Sequence, residues 1–319
     1  MTGLLTLAAA SFRELIRQPF YLLLLAGGAG FLLLLSNLSY FALGEENRQA
    51  KQSALAFMLL AGVFASVFGA SASVAREVRT GTALVVLSKP VGRVRFLAGK
   101  FLGLGAGLAL LVLVHGMVTM LSGRTTGGRE SGTDWVAVVG VAGGVVGGLG
   151  IAGCGSYFAH RGFRGDAVLA VTAALGVVFV AVNFMAPSGA WQRWGQGLDM
   201  RLGAAGLLVL FAVWALAGMA LALSTRLEMV PTLVLCTGLL GVGLLSDYLF
   251  AGAAASGSSL AAVLHGVVPD WQVFWMGDAL GEGREIPWSY VARAGAYAAS
   301  LLGVALPLGV VLFADRELG

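Results

Sequence analysis

The sequence predicts an all-α protein, a polytopic bundle of about eight transmembrane helices, and three observations predict it. The first is composition. Of 319 residues, 58% are hydrophobic and 11% are charged, with a mean hydropathy of +0.88. A soluble domain carries about 25% charged residues, so these charges are too few to cover a water-facing surface and the apolar surplus needs a lipid solvent. The second is the recurrence of long apolar runs, each near or above the ~20 residues that cross ~30 Å of hydrocarbon. The third is glycine, at 48 residues. Each would cost about 1 kcal/mol relative to alanine in a soluble helix. In lipid the backbone stays helical to satisfy its hydrogen bonds, and glycine instead lets helices approach closely.

The chain opens on an amphipathic stretch, 4–18. Leu4, Leu5, Ala8, Phe12, Leu15 and Ile16 fall on one helical face, and Arg13, Glu14 and Arg17 on the other. This pattern predicts a helix lying in the membrane interface, ended by Pro19. The first span covers roughly 20–43. Ten Leu and Phe residues within 20–35, at about −0.4 kcal/mol each, favour insertion by roughly 4 kcal/mol. The run is too long for the core of a signal peptide, so no cleavage is expected.

Seven further runs lie near 54–75, 97–121, 136–158, 167–187, 202–223, 231–251 and 288–314. Eight spans put both termini on one side. Re-entrant pieces within 136–187 would reduce the count to six or seven. With the termini inside, 12 of the 20 Lys and Arg residues face the cytoplasm, and six of those crowd into 76–100. The excess supports cytoplasmic termini and a multi-pass protein of the cell membrane. The longest outer segment, 252–287, carries Trp271, Phe274 and Trp275, with Trp288 just beyond. These suit a membrane–water interface, and short helices on or dipping into the outer leaflet are expected there. No soluble domain and no internal repeat is evident, so 1–319 is read as a single membrane domain.

The formal charge of +4 is too small and too scattered for nucleic-acid binding. Cys154 and Cys236 sit far apart in apolar runs without a CxxC spacing, which reads as two buried thiols. His115, His160 and His265 are isolated, and no HExxH or paired-Asp motif occurs. His115 falls within the third span, where a neutral imidazole bonded to a neighbouring helix is expected. A GxGxxG at Gly148, Gly150 and Gly153 lies inside an apolar span rather than between a strand and a helix, so it is not a dinucleotide site. Gly140, Gly144 and Gly148 read as one helix-packing stripe, and Gly99, Gly103 and Gly107 as another.

The most informative stretch is the cytoplasmic loop between the second and third spans, 76–96, with its continuation to Lys100. Arg76 and Glu77 stand at the foot of the second span, followed by Arg79 and Thr80. Gly81 and Thr82 open a short apolar helix, 83–87, that includes Leu84 and Leu87. Ser88, Lys89 and Pro90 end it, and Arg93 and Arg95 lead into the third span. A short apolar helix held by charged anchors suits docking into a groove on a cytosolic partner. A basic, membrane-anchoring loop would carry the same residue types.

This loop resembles the cytoplasmic loop of type-2 (exporter-type) ATP-binding-cassette transporter permeases. The family order of Arg-Glu, Gly-Thr, Ser-Lys-Pro, Arg and Gly-Lys is matched by Arg76-Glu77, Gly81-Thr82, Ser88-Lys89-Pro90, Arg93 and Gly99-Lys100. The segment 12–19 is similar to the family's interfacial helix. Ser224-Thr225-Arg226 resembles its short inner loop, and 312–317 its last span and tail. The departure is 136–187, because family members commonly have six spans.

The resemblance implies a permease dimer, of two identical or two sister chains, above two cytosolic ATPase subunits. The helix 83–87 would be the coupling helix, flanked by Arg76, Glu77 and the 80–82 turn. ATP and magnesium would reside on the partner ATPase. This chain has no GxxxxGK[ST] and is expected to bind no cofactor or metal and to perform no catalysis. Two other classes fit less well. A membrane-embedded enzyme acting on lipid needs clustered acids, His or Ser near one interface, and none is convincingly spaced. An ion-coupled secondary transporter would show repeats and intramembrane charges.

Overall fold

The computed structural model describes residues 2–37, 46–75, 92–126 and 134–314. All its described regular structure is helical, apart from one isolated bridge between Met185 and Trp191. The helices are α1 (Thr2–Ile16), α2 (Pro19–Ser36), α3 (Arg48–Val74), α4 (Arg93–Thr126), α5 (Trp135–Ala159) and α6 (Phe163–Val182). There follow α7 (Arg201–Leu223), α8 (Met229–Leu244), α9 (Ser259–Val267), α10 (Gly277–Gly281) and α11 (Trp288–Ala314). Seven of these, α2 to α7 and α11, are long and apolar enough to cross a membrane. The chain is therefore built as a multi-pass membrane protein.

Side-chain bonds sort the helix ends into two layers. At one end, here called basal, Lys100 Nζ lies 3.5 Å from Glu14 Oε2, and the Ser71 and Ser224 hydroxyls lie 3.3 Å apart. Arg226 Nε donates to the Leu312 carbonyl at 2.6 Å in the same layer. These bonds collect the ends of α1, α3, α7 and α11 and the start of α4. At the apical end, Lys51 Nζ meets Asp199 Oδ2 at 2.7 Å and Gln52 Nε2 donates to Asp278 Oδ1 at 3.0 Å. Ala314, at the end of α11, thus belongs to the basal layer, and so does Thr2, because Leu4 and Leu7 pack on Gly99 near the start of α4.

The centre of the bundle is α3, α4 and α7, whose facing sides bury Met58, Leu108, Val213 and Leu216. Glycine permits the closest approaches. A Cβ at Gly62 would collide with the Val213 side chain. The α1 helix runs in the same direction as the first turns of α4. Leu4 and Leu7 face Gly99, Ala8 and Ser11 face Gly103, and Leu15 faces Gly107. Leu5 is exposed. The apolar face of α1 is thus spent largely on protein, on the flat strip left by three glycines a turn apart.

The pair α5–α6 is a hairpin flanking this centre. Gly140, Gly144 and Gly148 face Val182, Leu175 and Val171 across it. At Gly148 a Cβ would come within 2.6 Å of the Val171 Cα, so main chain nearly touches main chain. Both helices have spanning length.

The apolar run near 231–251 does not form one uniform helix. The α8 helix has 16 residues, about 24 Å at 1.5 Å per residue, and it breaks at Leu245. A π-helical turn, Asp247–Ala251, and a short helical turn, Gly252–Ala255, follow. The chain then folds back through α9. Trp271 Nε1 donates to the Leu239 carbonyl and Gln272 Nε2 to that of Leu244, pinning the return against the top of α8. Gly243 is the residue that lets Pro269 and Trp271 approach so closely.

Candidate functional site

The loop singled out in the sequence joins α3 to α4 at the basal end. Arg76, Glu77, Arg79, Thr80, Gly81, Thr82, Leu84, Leu87, Ser88, Lys89 and Pro90 lie outside the described residues. Arg93 is the first residue of α4 and, like Arg95, is exposed. What the structure supplies is the mounting of the loop. On the upstream side, α3 ends in a π-helical turn, Ser71–Ala75, with Val74 fully buried. The Ser71 hydroxyl meets that of Ser224, so this end of α3 is tied to the end of α7.

On the downstream side, α4 begins well before the apolar run near 97–121, and its second turn is already core. Phe96 is buried and stacks on Phe313 of α11, with centroids 5.8 Å apart. Lys100 is only 4% exposed, although the sequence groups it with the loop cations. Its ammonium is held by Glu14 of α1 and lies 5.7 Å from the centre of the Phe96 ring. A charged partner and an aromatic face together make such burial tolerable. Gly309 of α11 completes the mounting, since a Cβ there would collide with Leu97 and Ala222. Displacement of the loop would therefore bear on α1, α4, α7 and α11 together. Sequence reasoning missed Glu14, Ser71 and Phe96 as participants. The one signal was Glu14 itself, an acid between two arginines on the polar face of α1.

The apical end is closed by ion pairs. Asp199 accepts from Lys51 Nζ at 2.7 Å, from Arg201 Nε at 2.7 Å and from Arg201 Nη2 at 3.1 Å. Arg201 Nη1 continues to the Gly283 carbonyl. Burial alone would push the Asp199 carboxyl up. The hydrogen bonds and charges of Arg201 and Lys51 outweigh it and hold the carboxyl down at about 2. A second apical cluster has Arg124 and Asp134, both almost wholly buried, 3.3 Å apart. Arg124 also donates to the carbonyls of Val182 and Met185, and Asp134 accepts from the Ala137 amide at the start of α5. One guanidinium thus joins the ends of α4 and α6 to the start of α5.

Two features lie between these layers. His115 Nε2 donates to the Leu24 carbonyl at 3.1 Å, within the π-helical turn Leu23–Gly27 of α2. Gly28 makes room for the ring. A carbonyl can only accept, so Nε2 carries the proton. Beside α4, a lateral groove of about 760 Å³ runs from Phe12 and Ala106 to Met120 and Leu202. Its walls from α1, α4, α6 and α7 carry no ionisable side chain. Among the described residues no group of three His, Cys, Asp or Glu side chains could hold a metal ion.

A multi-pass bundle, tightly packed at its basal end where α3 stops and α4 begins and ion-paired at its apical end, is the class of protein that this geometry defines. No family model and no curated protein matches the chain.

Proposed function

We propose that this chain is the membrane-spanning permease subunit of an ATP-binding-cassette transporter that exports its substrate, with hydrolysis supplied by a separate cytosolic ATPase pair. The observation that carries the reading is the ordered run Arg76-Glu77, Gly81-Thr82, Ser88-Lys89-Pro90, Arg93 and Gly99-Lys100 between two membrane helices. The basal mounting supports it. A handle transmits force only if both of its ends are fixed to moving parts, and here Ser71–Ser224, Lys100–Glu14 and Phe96–Phe313 fix them to three further helices, α7, α1 and α11.

In this reading the basal end faces the cytoplasm of the cell membrane, with both termini inside. The helix 83–87 is the coupling helix, and a second permease chain, identical or sister, completes the pore. The ATPase subunits hold ATP and magnesium. Their closure pushes the loop, tilts α4 with α1, and opens the apical end. The permease performs no covalent chemistry.

The test is co-purification of the membrane-inserted protein with its ATPase. Glu77→Ala and Gly81→Pro are expected to leave insertion intact while weakening that association and the ATP hydrolysis it supports. Unaltered association and hydrolysis in both variants would overturn the proposal.

A further inference from the structure

The basal end carries a second surface, away from the loop and not used by the permease reading. Arg13, on the exposed side of α1, and Arg17, just past its end, lie four residues apart and are both exposed. The Arg17 side chain lies across Gly165 in the first turn of α6, its Cγ 3.4 Å from where a Cβ would be. Arg164 adjoins that glycine, and Arg161 precedes it by one turn in the short α5–α6 connection. All four arginines are exposed. Among the described residues, none of the four pairs with a carboxylate. Among the described residues, the nearby acids are Glu14, engaged with Lys100, and a half-buried Asp166.

This arrangement contrasts with the apical end, where Lys51, Arg124, Arg201 and Arg284 each meet a carboxylate. The Arg17–Gly165 contact brings the arginines of α1 and of the α5–α6 hairpin onto one surface, and like charges gathered there repel. That cost is offset when an anion sits among them.

The surroundings indicate which anion. Tyr157 and Phe158, in the last turn of α5, are 77% and 78% exposed, and Phe163 opens α6 beside them. Exposed aromatic rings beside arginines are the signature of the headgroup layer. Directly toward the bundle middle, α5 and α6 expose Ile151, Val146 and Leu169, an apolar surface suited to acyl chains. The cluster is therefore continuous with a lipid-facing wall, which a water-borne acidic partner would not use. Planar guanidinium forks also match phosphate oxygens in pairs.

We infer that Arg13, Arg17, Arg161 and Arg164 form a docking site for the headgroup of an anionic phospholipid at the basal membrane surface. The site joins α1 to the α5–α6 hairpin through the lipid. It stands independently of the permease reading, because it needs only a bilayer with anionic lipid on the basal side.

Lipid binding to the purified full-length protein tests this, with phosphatidylglycerol titrated against phosphatidylcholine and bound lipid counted by native mass spectrometry. The wild type is expected to prefer phosphatidylglycerol. Each arginine near a membrane surface contributes roughly five-fold in affinity, so Arg17→Gln with Arg164→Gln should lose about 25-fold for phosphatidylglycerol and nothing for phosphatidylcholine. Arg17→Lys with Arg164→Lys should keep most of the preference, and Arg193→Gln at the apical end should keep all of it. Arg13→Gln with Arg161→Gln gives a second pair should the first fail to fold. Equal binding of the two lipids by the wild type would overturn the inference, as would undiminished phosphatidylglycerol binding in a folded Gln pair. Full displacement of the lipid by inorganic phosphate would overturn it too, by assigning the site to the free ion.

Discussion

Replacing Asp199 by Asn should loosen the apical end by a calculable amount. The Lys51 and Asp199 side chains are 11% and 15% exposed, so solvent screens their interaction little. The carboxyl is held at about 2, against an ordinary value of 3.8. At 1.36 kcal/mol per unit that difference is worth about 2 kcal/mol in favour of the folded state. The sign follows from the direction. A depressed carboxyl stabilises fully above its unfolded value, and the stabilisation is lost as pH falls toward about 2. The Asn variant lacks this contribution at neutral pH and should show less acid sensitivity across that window.

Lys51→Met should cost less than Asp199→Asn, because Asp199 keeps Arg201, whereas losing the carboxylate strands two cations. A double-mutant cycle on the detergent-solubilised protein, followed by thermal unfolding at neutral pH, isolates the pair. The expected coupling is about 1–2 kcal/mol, at the scale seen for residues in one ion-pair network. Strict additivity of the two substitutions would refute the reasoning, since it would mean that the two groups are adjacent without supporting one another.

Three further outcomes follow from the packing. Arg124→Ala should cost about 3–5 kcal/mol, because it strands the buried Asp134 carboxylate and two carbonyl groups; adding Asp134→Ala should recover part of the loss in the same unfolding assay. Gly148→Ala should cost about 1–3 kcal/mol by forcing α5 away from the Val171 main chain, whereas Gly143→Ala, with nothing within 4 Å, should be neutral or slightly stabilising. Gly28→Ala should destabilise by placing a methyl group against the His115 ring and Phe57; His115→Ala in the same chain should relieve rather than add to the damage, and simple addition of the two effects would refute that contact.

Hydropathy made most of the helices legible, because a 20-residue apolar run has one economical conformation in lipid. The limit was reached near 231–251. There the pattern stays apolar across Leu245, but the chain leaves regular helix because the return segment must seat Trp271 beside Gly243. Nothing in local composition encodes a contact made 28 residues later. The ion pairs were equally invisible. Lys51 and Asp199 are 148 residues apart in sequence, and each alone reads as an ordinary interfacial charge. Lys100 was misleading for a different reason. The α4 helix starts at Arg93, so Lys100 is two turns inside it and rotates inward to Glu14. The packing partners of the two glycine stripes could not be read from spacing, which marks a small face without saying what lies on it.

The two ends of the bundle differ in how they treat charge, and the difference has mechanical content. At the apical end the Lys51–Asp199 and Arg124–Asp134 pairs cross between helices, so separating α3 from the start of α7 there means breaking a charge pair. At the basal end the corresponding links are weaker in charge and closer in packing, a hydroxyl pair and one partly screened ion pair, while arginines remain outward. A structure closed by electrostatics at one end and by small-residue contact at the other resists different perturbations at each. Salt screens exposed charges more than buried ones, so raised ionic strength should act first on the outward basal arginines and their lipid. Acid should release the Asp199 clamp only as pH falls toward about 2. Amide hydrogen exchange would separate the two, with high salt raising exchange in α1 and early α6, and low pH raising it at the starts of α3 and α7. Exchange rising at the same end under both conditions would show that the bundle yields as one unit and that the division of labour is absent.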